Sequence, residues 1–288
     1  MKLALLGDIH SNYRALEQCL AYCEREKVDG YVFLGDYISD CPYPQRTLAM
    51  IRNIYKNHST WIIRGNREGY QINHEKLEDH WEYDSSTGSL LYTYENLTSE
   101  DLEQFKEWGI YQVVSIKGYP DFTICHGSPV SDRELLFFES ELANQRLEEV
   151  ETQLLICAHT HIQGRYDYRG KTMINPGSVG IPVGVAGQGQ FAILHGENQC
   201  WRPEFFSLEY DIDLFIKEFN ESDLPRKSKT FANLIQYQII TGENIILDVI
   251  QLAEERTKEV FGYMPDGNLH DEFWESAFQQ VIALKRDS

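Results

Sequence analysis

The chain has 288 residues, more than one domain usually holds, with 42% hydrophobic and 25% charged residues, ordinary values for a globular protein. Its 45 acidic residues outnumber 26 basic ones, giving a formal net charge of −19. Such a surface repels a phosphate backbone and argues against a general binder of duplex nucleic acid or anionic membrane; a small anionic substrate needs something local, such as bound metal, to reverse the sign.

The opening MKLALLGDIH carries one lysine and only five apolar residues before Gly7, too few for the apolar region of a signal peptide, and no run has membrane length. KLALLG (2–7) predicts a strand and residues 13–26 a helix with Leu16, Cys19, Leu20 and Cys23 on one face. A second strand at 30–35, a helix at 44–57 with Leu48, Ile51 and Ile54 inward, and a third strand at 60–65 complete a β-α-β-α-β pattern. Residues 69–110 are acidic and rich in aromatics and read as an insertion, with a helix start at Thr98 and Asp101. Strands follow near 111–117, 120–125, 153–158, 171–174, 190–195 and 203–208, with a helix near 138–150; the late ones are expected to add antiparallel pairs. From residue 209 the pattern is helical, with Ile246, Val249, Ile250 and Ala253 on one face and Trp274, Ala277, Phe278 and Val281 on another. The expected organisation is an α/β (α+β) core over 1–208 and a helical cap or dimerisation domain over 209–288. The six cysteines lack CxxC pairs and read as reduced thiols, so a cytosolic protein is expected.

Polar residues collect where the strands end. GDIHSN supplies Asp8 and His10, GDYISD supplies Asp36, GNRE supplies Asn66, TICHGSP supplies His126, and LICAHTHIQG supplies His159 and His161. Singly, each has an ordinary reading as a turn, a helix cap or a hydrogen-bonded core histidine. Together they would converge outside the carboxyl ends of consecutive strands, where α/β sheets place their sites. Carboxylate, imidazole and amide donors in this mixture suit two divalent ions such as Mn, Fe or Zn.

With DIHSN (8–12), GDYISDCPYP (35–44), GNRE (65–68), CHGSP (125–129), AHTHIQG (158–164) and INPGSVGIP (174–182) in this order, the sequence resembles the calcineurin-like metallophosphoesterases. The resemblance implies two packed β-sheets flanked by helices. It implies that Asp8, His10 and His161 bind one metal, that Asn66, His126 and His159 bind the other, and that Asp36 bridges them. The implied reaction is in-line displacement at phosphorus by a hydroxide held between the ions. A phosphomonoesterase or protein phosphatase of the same fold, and a metal-binding scaffold without turnover, are the alternatives.

Many such relatives carry His or Asp after the asparagine; here the residue is Arg67. A guanidinium does not give up its proton near neutrality but clamps phosphate well, so as a substrate contact it favours leaving groups that depart as stable anions. The other reading is an Arg67–carboxylate pair that orders the loop; Glu68 has no role beyond partnering that arginine, and His74, His80 or a metal-bound water are further proton sources. GDYISDCPYP is similar to the form seen in a bacterial phosphodiesterase branch. With Arg67 and the helical tail it points to asymmetric hydrolysis of diadenosine tetraphosphate to AMP and ATP. Asn12, Tyr13 and Tyr37 are expected to touch the small nucleotide substrate, with Tyr43 and Tyr70 as further stacking surfaces. The glycine-rich run 177–189 reads as a flexible turn beside the metals, and the tail as a possible homodimer contact.

Overall fold

A computed structural model describes residues 1–74, 80–263 and 268–286. The first half-sheet follows directly from the apolar runs. Strands β1 (Lys2–Leu6), β2 (Gly30–Phe33) and β3 (Ser59–Ile62) lie parallel, joined by helices α1 (Tyr13–Glu26) and α2 (Pro44–Asn57). Both helices end where the apolar spacing predicts. Because side chains alternate across a strand, Leu3, Leu5 and Val32 face one layer while Ala4, Leu6, Tyr31 and Phe33 face α1 and α2. Apolar residues are therefore needed on both sides, and the runs are continuous. The third strand is shorter than expected: Asn66 is not a strand-end residue but the first residue of helix α3 (Asn66–His74).

Residues expected to form an insertion build α3, α4 (Gly88–Glu95) and α5 (Ser99–Glu107). They are not peripheral, since Leu102 and Phe105 of α5 join the core cluster that contains Leu6 and Leu48. At the start of α5, Thr98 Oγ1 accepts from the Asp101 N–H at 3.2 Å and the Asp101 carboxylate accepts from the Thr98 N–H at 2.7 Å. The same carboxylate also takes Gln45 and Arg52 from α2.

The chain continues through β4 (Tyr111–Val114), β5 (Phe122–Cys125), α6 (Glu141–Glu149), β6 (Leu154–Ile156), β7 (Gly164–Tyr168) and β8 (Lys171–Asn175), then β9 (Gln188–Glu197) and β10 (Cys200–Glu209). Two five-stranded mixed sheets result, ordered β10-β9-β1-β2-β3 and β4-β5-β6-β8-β7. Pairs β4–β5, β7–β8 and β9–β10 are antiparallel as expected of the second half, but β5, β6 and β8 run parallel. The sheets pack face to face through Leu3, Leu5, Val32 and Leu34 on one side and Phe122, Ile124, Ile156 and Ile174 on the other. This is the expected two-sheet fold flanked by helices.

Helices α7 (Ile212–Glu221), α8 (Leu224–Thr241), α9 (Ile246–Phe261) and α10 (Asp271–Arg286) end the chain. Phe215, Phe219, Ile235 and Ile239 pack with Tyr92 of α4 and with Cys41 and Ile181 from the loops beyond the strand ends. Val249, Ala253, Trp274, Ala277, Phe278 and Val281 bury against one another, so these apolar faces, the ground for expecting a dimer, are consumed within the chain. Among the described residues no helix is long and apolar enough to cross a membrane.

Burial alone would raise the Asp101 carboxyl, but its donors hold it below the ordinary carboxylate value. Its contribution is therefore present above the unfolded value and is lost as pH falls through the acid range. Asp101→Ala is expected to lower unfolding free energy by about 1–2 kcal/mol at pH 7. In urea titrations that gap should narrow below pH ~4, where Asp101 takes up its proton in the unfolded chain before it does in the folded one.

Candidate metal centre

Two glycines let the ligand-bearing loops meet. Gly35 has φ +93°, and a Cβ there would lie 2.4 Å from the Gly65 nitrogen; a Cβ on Gly65 would lie 2.1 Å from Asp36 Oδ1. The loops after β1 and β2 are then laced together, with the N–H groups of Ile9 and His10 both donating to the Asp36 carbonyl at 2.8 and 2.9 Å. Asp8, His10, Asp36, His159 and His161 all adopt positive φ, between 49° and 66°. Left-handed backbone at non-glycine residues costs about 1 kcal/mol or more each and is retained where the surroundings dictate it. Here it turns five polar side chains towards one point.

At that point two groups form. Asp8, His10 and His161 bring ligand atoms within 4.8 Å of one another, and Asp36, His126 and His159 do the same. Asp36 lies between the groups, its Oδ2 3.4 Å from His126 Nε2 and 3.8 Å from His10 Nε2. Asn66 joins the second group through Oδ1, 3.0 Å from His126 Nε2.

The hydrogen bonds behind the rings decide what the facing atoms are. His161 Nδ1 donates to the Ile181 carbonyl at 2.7 Å, and His126 Nδ1 donates to the Leu34 carbonyl at 2.8 Å; a carbonyl can only accept, so both Nδ1 atoms carry protons. His10 Nδ1 faces Asp40 Oδ2 at 3.0 Å. In the neutral rings Nε2 is then a lone pair, and His10 Nε2 meets His161 Nε2 at 3.2 Å. His126 Nε2 likewise meets the amide oxygen of Asn66 and the Asp36 carboxylate. Buried acceptors facing acceptors require positive charge between them.

Protons can supply that charge as well as ions: despite its burial, His10 is raised by Asp40 and Asp36. Burial alone would lower His126, yet Asp36 and Asp8 draw it up to about 10. Burial together with the neighbouring imidazoles pushes His161 down to about 3 and His159 to about 4, which keeps their lone pairs free. Burial raises Asp8 to about 6, while Asp36 is held well below the usual carboxylate range by His126, His10 and Arg67 despite its burial. The donor set fits two divalent ions: anionic, amide and imidazole ligands, with rings oriented from behind by carbonyl or carboxylate partners.

Arg67 does not reach out as a free clamp. Its Nη2 is 2.8 Å from Asp40 Oδ2, and its backbone N–H donates to Asp36 Oδ1 at 2.8 Å. Of the two readings of this arginine, the paired one describes its contacts. Asp40, inside GDYISD and not among the expected site residues, thus receives Arg67 and faces His10, and also accepts from Ser89 Oγ of α4 at 3.2 Å. Glu68 is not the partner of Arg67: its carboxylate accepts the N–H groups of Asp36, Tyr37 and Gly65 at 2.8–2.9 Å and pins the second loop to the third.

Several expected substrate contacts are structural. Tyr37 is fully buried, accepting from the Gly35 N–H and donating to the Ile63 carbonyl, so it cannot stack on a ligand. Asn12 caps α1, accepting from the Ala15 N–H and donating to the Gly180 carbonyl and Tyr210 hydroxyl. Tyr13 bonds Glu218 and Arg46, tying α1 and α2 to α7, and Tyr43 donates to the Glu218 carbonyl. Tyr70 lies beneath Arg67 and Arg133, His74 is stacked on Trp81, and His80 is exposed. The run after β8 is no flexible turn near its start. Ser178 and Val179 are fully buried, and Ser178 Oγ donates to the Asp8 carbonyl at 2.7 Å.

Beside the two groups opens a cavity of about 600 Å³. His10, Asp36, Asn66, Arg67, His159 and His161 form its floor, and side chains of α8, α9 and α10 form much of its wall.

The family model for calcineurin-like phosphoesterases matches residues 1–163, more than half of the chain and a span that includes both ligand groups. The chain belongs to that family. It is a metallophosphoesterase, a hydrolase acting on phosphoric esters. An uncharacterized protein of Methanocaldococcus jannaschii is 23% identical over 242 residues, covering 77% of this chain and 93% of that protein. The crystal structure of a hypothetical protein from Pyrococcus horikoshii superposes with a TM-score of 0.71 at 23% identity, over 84% of this chain and 98% of that one. A metallophosphoesterase from Sphaerobacter thermophilus gives 0.67 at 23% identity, over 83% and 99%. These likenesses extend the shared fold well beyond residue 163.

Two measurements bear on the centre. Calorimetric titration of metal-free phosphoesterase with Mn²⁺ should give two ions per chain, falling to one in His161→Ala and in His126→Ala. Glu68→Gln places an amide N–H₂ against backbone donors and is expected to cost about 1–3 kcal/mol in urea unfolding. The same change should weaken metal binding about 10–100-fold by loosening Asp36.

Proposed function

We propose that this phosphoesterase hydrolyses a phosphodiester or phosphoanhydride of a small molecule by in-line attack of water. Asp8, His10 and His161 would hold one ion, Asn66, His126 and His159 the other, with Asp36 shared. The observation that carries this reading is the convergence of His10 and His161 Nε2, 3.2 Å apart, on two buried carboxylates. When bound, two divalent ions supply a more acidic water and neutralise charge on the phosphoryl oxygens.

The chain's own residues set the remaining terms. The imidazoles lining the cavity face the ligand groups, and Arg67 keeps its proton beside Asp40. Among the described residues lining the cavity, none stands free of these contacts to protonate a departing alkoxide, which favours leaving groups that depart as anions. Asymmetric cleavage of diadenosine tetraphosphate to AMP and ATP is the finer reading. It is supported by Arg67 where relatives carry an acid and by the GDYISDCPYP loop. Engagement of Arg67 by Asp40 weakens it, because a polyphosphate chain needs several cations.

Manganese-loaded protein should hydrolyse aryl phosphodiesters at rates that fall steeply as the leaving group's pKa rises; a flat dependence would mean that a proton donor acts. Diadenosine tetraphosphate yielding AMP and ATP supports the finer reading, two ADP contradicts it, and metal binding without hydrolysis of any ester identifies a scaffold.

A further inference from the structure

The wall of the cavity has not been put to use by the chemistry above. Beyond the ligand groups it is aliphatic and aromatic: Ile235 and Phe231 of α8, Ile246, Leu247 and Ile250 of α9, and Trp274 of α10. Of the lining residues, Leu247 is 64% exposed and Phe137 43% exposed, so apolar surface continues to the mouth. The polar groups lining this wall are largely spent within the protein. Trp274 Nε1 donates to Ser86 Oγ at 3.2 Å, Ser89 bonds Asp40, and Asn244 Oδ1 accepts the Ile246 N–H at 3.2 Å. A nucleobase in this space would leave most of its edge donors and acceptors without partners, at a cost that an alkyl chain does not incur.

Charge points the same way. The cavity-lining residues include one guanidinium, Arg67, and it is already matched by Asp40 at 2.8 Å. A substrate with a string of phosphates would set its outer charges against apolar side chains.

We infer that the substrate carries one phosphoryl centre and an aliphatic chain that lies along α8, α9 and α10 while the phosphorus sits over the Asp8–Asp36 groups. The inference rests on the phosphoesterase reading of that centre. Water adds to phosphorus, and the P–O bond to an acidic leaving group breaks. The leaving group departs with the bonding electron pair, a proton is released to solvent, and the alkyl phosphate remains in the chamber until it dissociates. Gln238, 1% exposed and lining the same cavity, donates to the Ile181 and Pro182 carbonyls but has no partner for Oε1. It can accept from one hydroxyl near the head of the chain.

The test is a homologous series of alkyl 4-nitrophenyl phosphates, methyl to octyl, with manganese-loaded protein. Each added methylene that leaves water should raise kcat/KM by about fourfold until the chamber is filled. Leu247→Asp, at an exposed position that folding tolerates, should compress the octyl-to-methyl ratio by tenfold or more. Turnover of the whole series at one rate, or diadenosine tetraphosphate preferred over the octyl ester, overturns the inference and leaves the hydrolase reading standing. Absence of turnover across the series overturns the hydrolase reading. In that event calorimetry with alkylphosphonates still decides the chamber, since affinity independent of chain length removes it.

Discussion

Two imidazole nitrogens held 3.2 Å apart in a buried site among carboxylates need positive charge between them, a shared proton or a metal ion. Much of the surrounding scaffold holds that arrangement in place. Left-handed backbone at Asp8, His10, Asp36, His159 and His161 turns the donors inward, and the Gly35–Gly65 contact allows two loops to pass without side chains. Glu68 grips three backbone N–H groups across those loops. Carbonyls of Leu34 and Ile181 fix two rings so that Nε2, not Nδ1, faces the centre. A site that repels itself has to be assembled by the fold before the ions arrive, and strain at five ligand positions is the cost of that order.

The excess of acid over base acquires a local meaning from this. Asp8, Asp36, Asp40 and Glu68 are all buried around the centre, with Arg67 set against Asp40 and a raised His126 against Asp36 and Asp8. An anionic substrate approaching such a surface meets repulsion until ions fill the groups, so binding of phosphate is made conditional on metal. Arg67 belongs to this balance more than to the substrate. By pairing Asp40, which in turn faces His10 Nδ1, it braces a ligand from behind, a positioning role that a smaller or neutral residue could not fill without leaving Asp40 unpaired.

How far the sequence could be read depended on whether a residue's partners were local. Helices α1 and α2 are legible to the residue because their apolar spacing, and Pro44 at the start of α2, act within a few positions. The ligand types stood in a row at strand ends, and the parallel order of β1, β2 and β3 follows from the crossover helices. By contrast, β7 escaped notice because GRYDY is an edge strand whose Arg165 and Asp167 face solvent, leaving no apolar run to mark it. Tyr37, Asn12 and Tyr13 depart from the sequence expectation for the reverse reason. Adjacency to a motif in sequence says nothing about the far partners, Ile63, Tyr210 and Glu218, that take up their polar atoms. Asp40 and Glu68 were in plain view within GDYISD and GNRE, but their roles depend on N–H groups and a guanidinium brought from other loops.

The terminal helices are coupled to the centre by the way they are packed. Phe215, Phe219, Ile235 and Ile239 share a buried cluster with Cys41 and Ile181. Cys41 follows Asp40 directly, and the Ile181 carbonyl holds His161 Nδ1 and accepts from Gln238 of α8. The helices that wall the cavity therefore also bear on the loops that aim two candidate ligands. Packing that shapes where a substrate chain lies is continuous with packing that sets a ring's tautomer and direction, so the wall and the floor of this site cannot be altered independently. The same burial explains why α8 keeps an apolar face towards the core while α9 leaves Leu247 open at the mouth: one side of the layer closes the protein and the other faces the cavity.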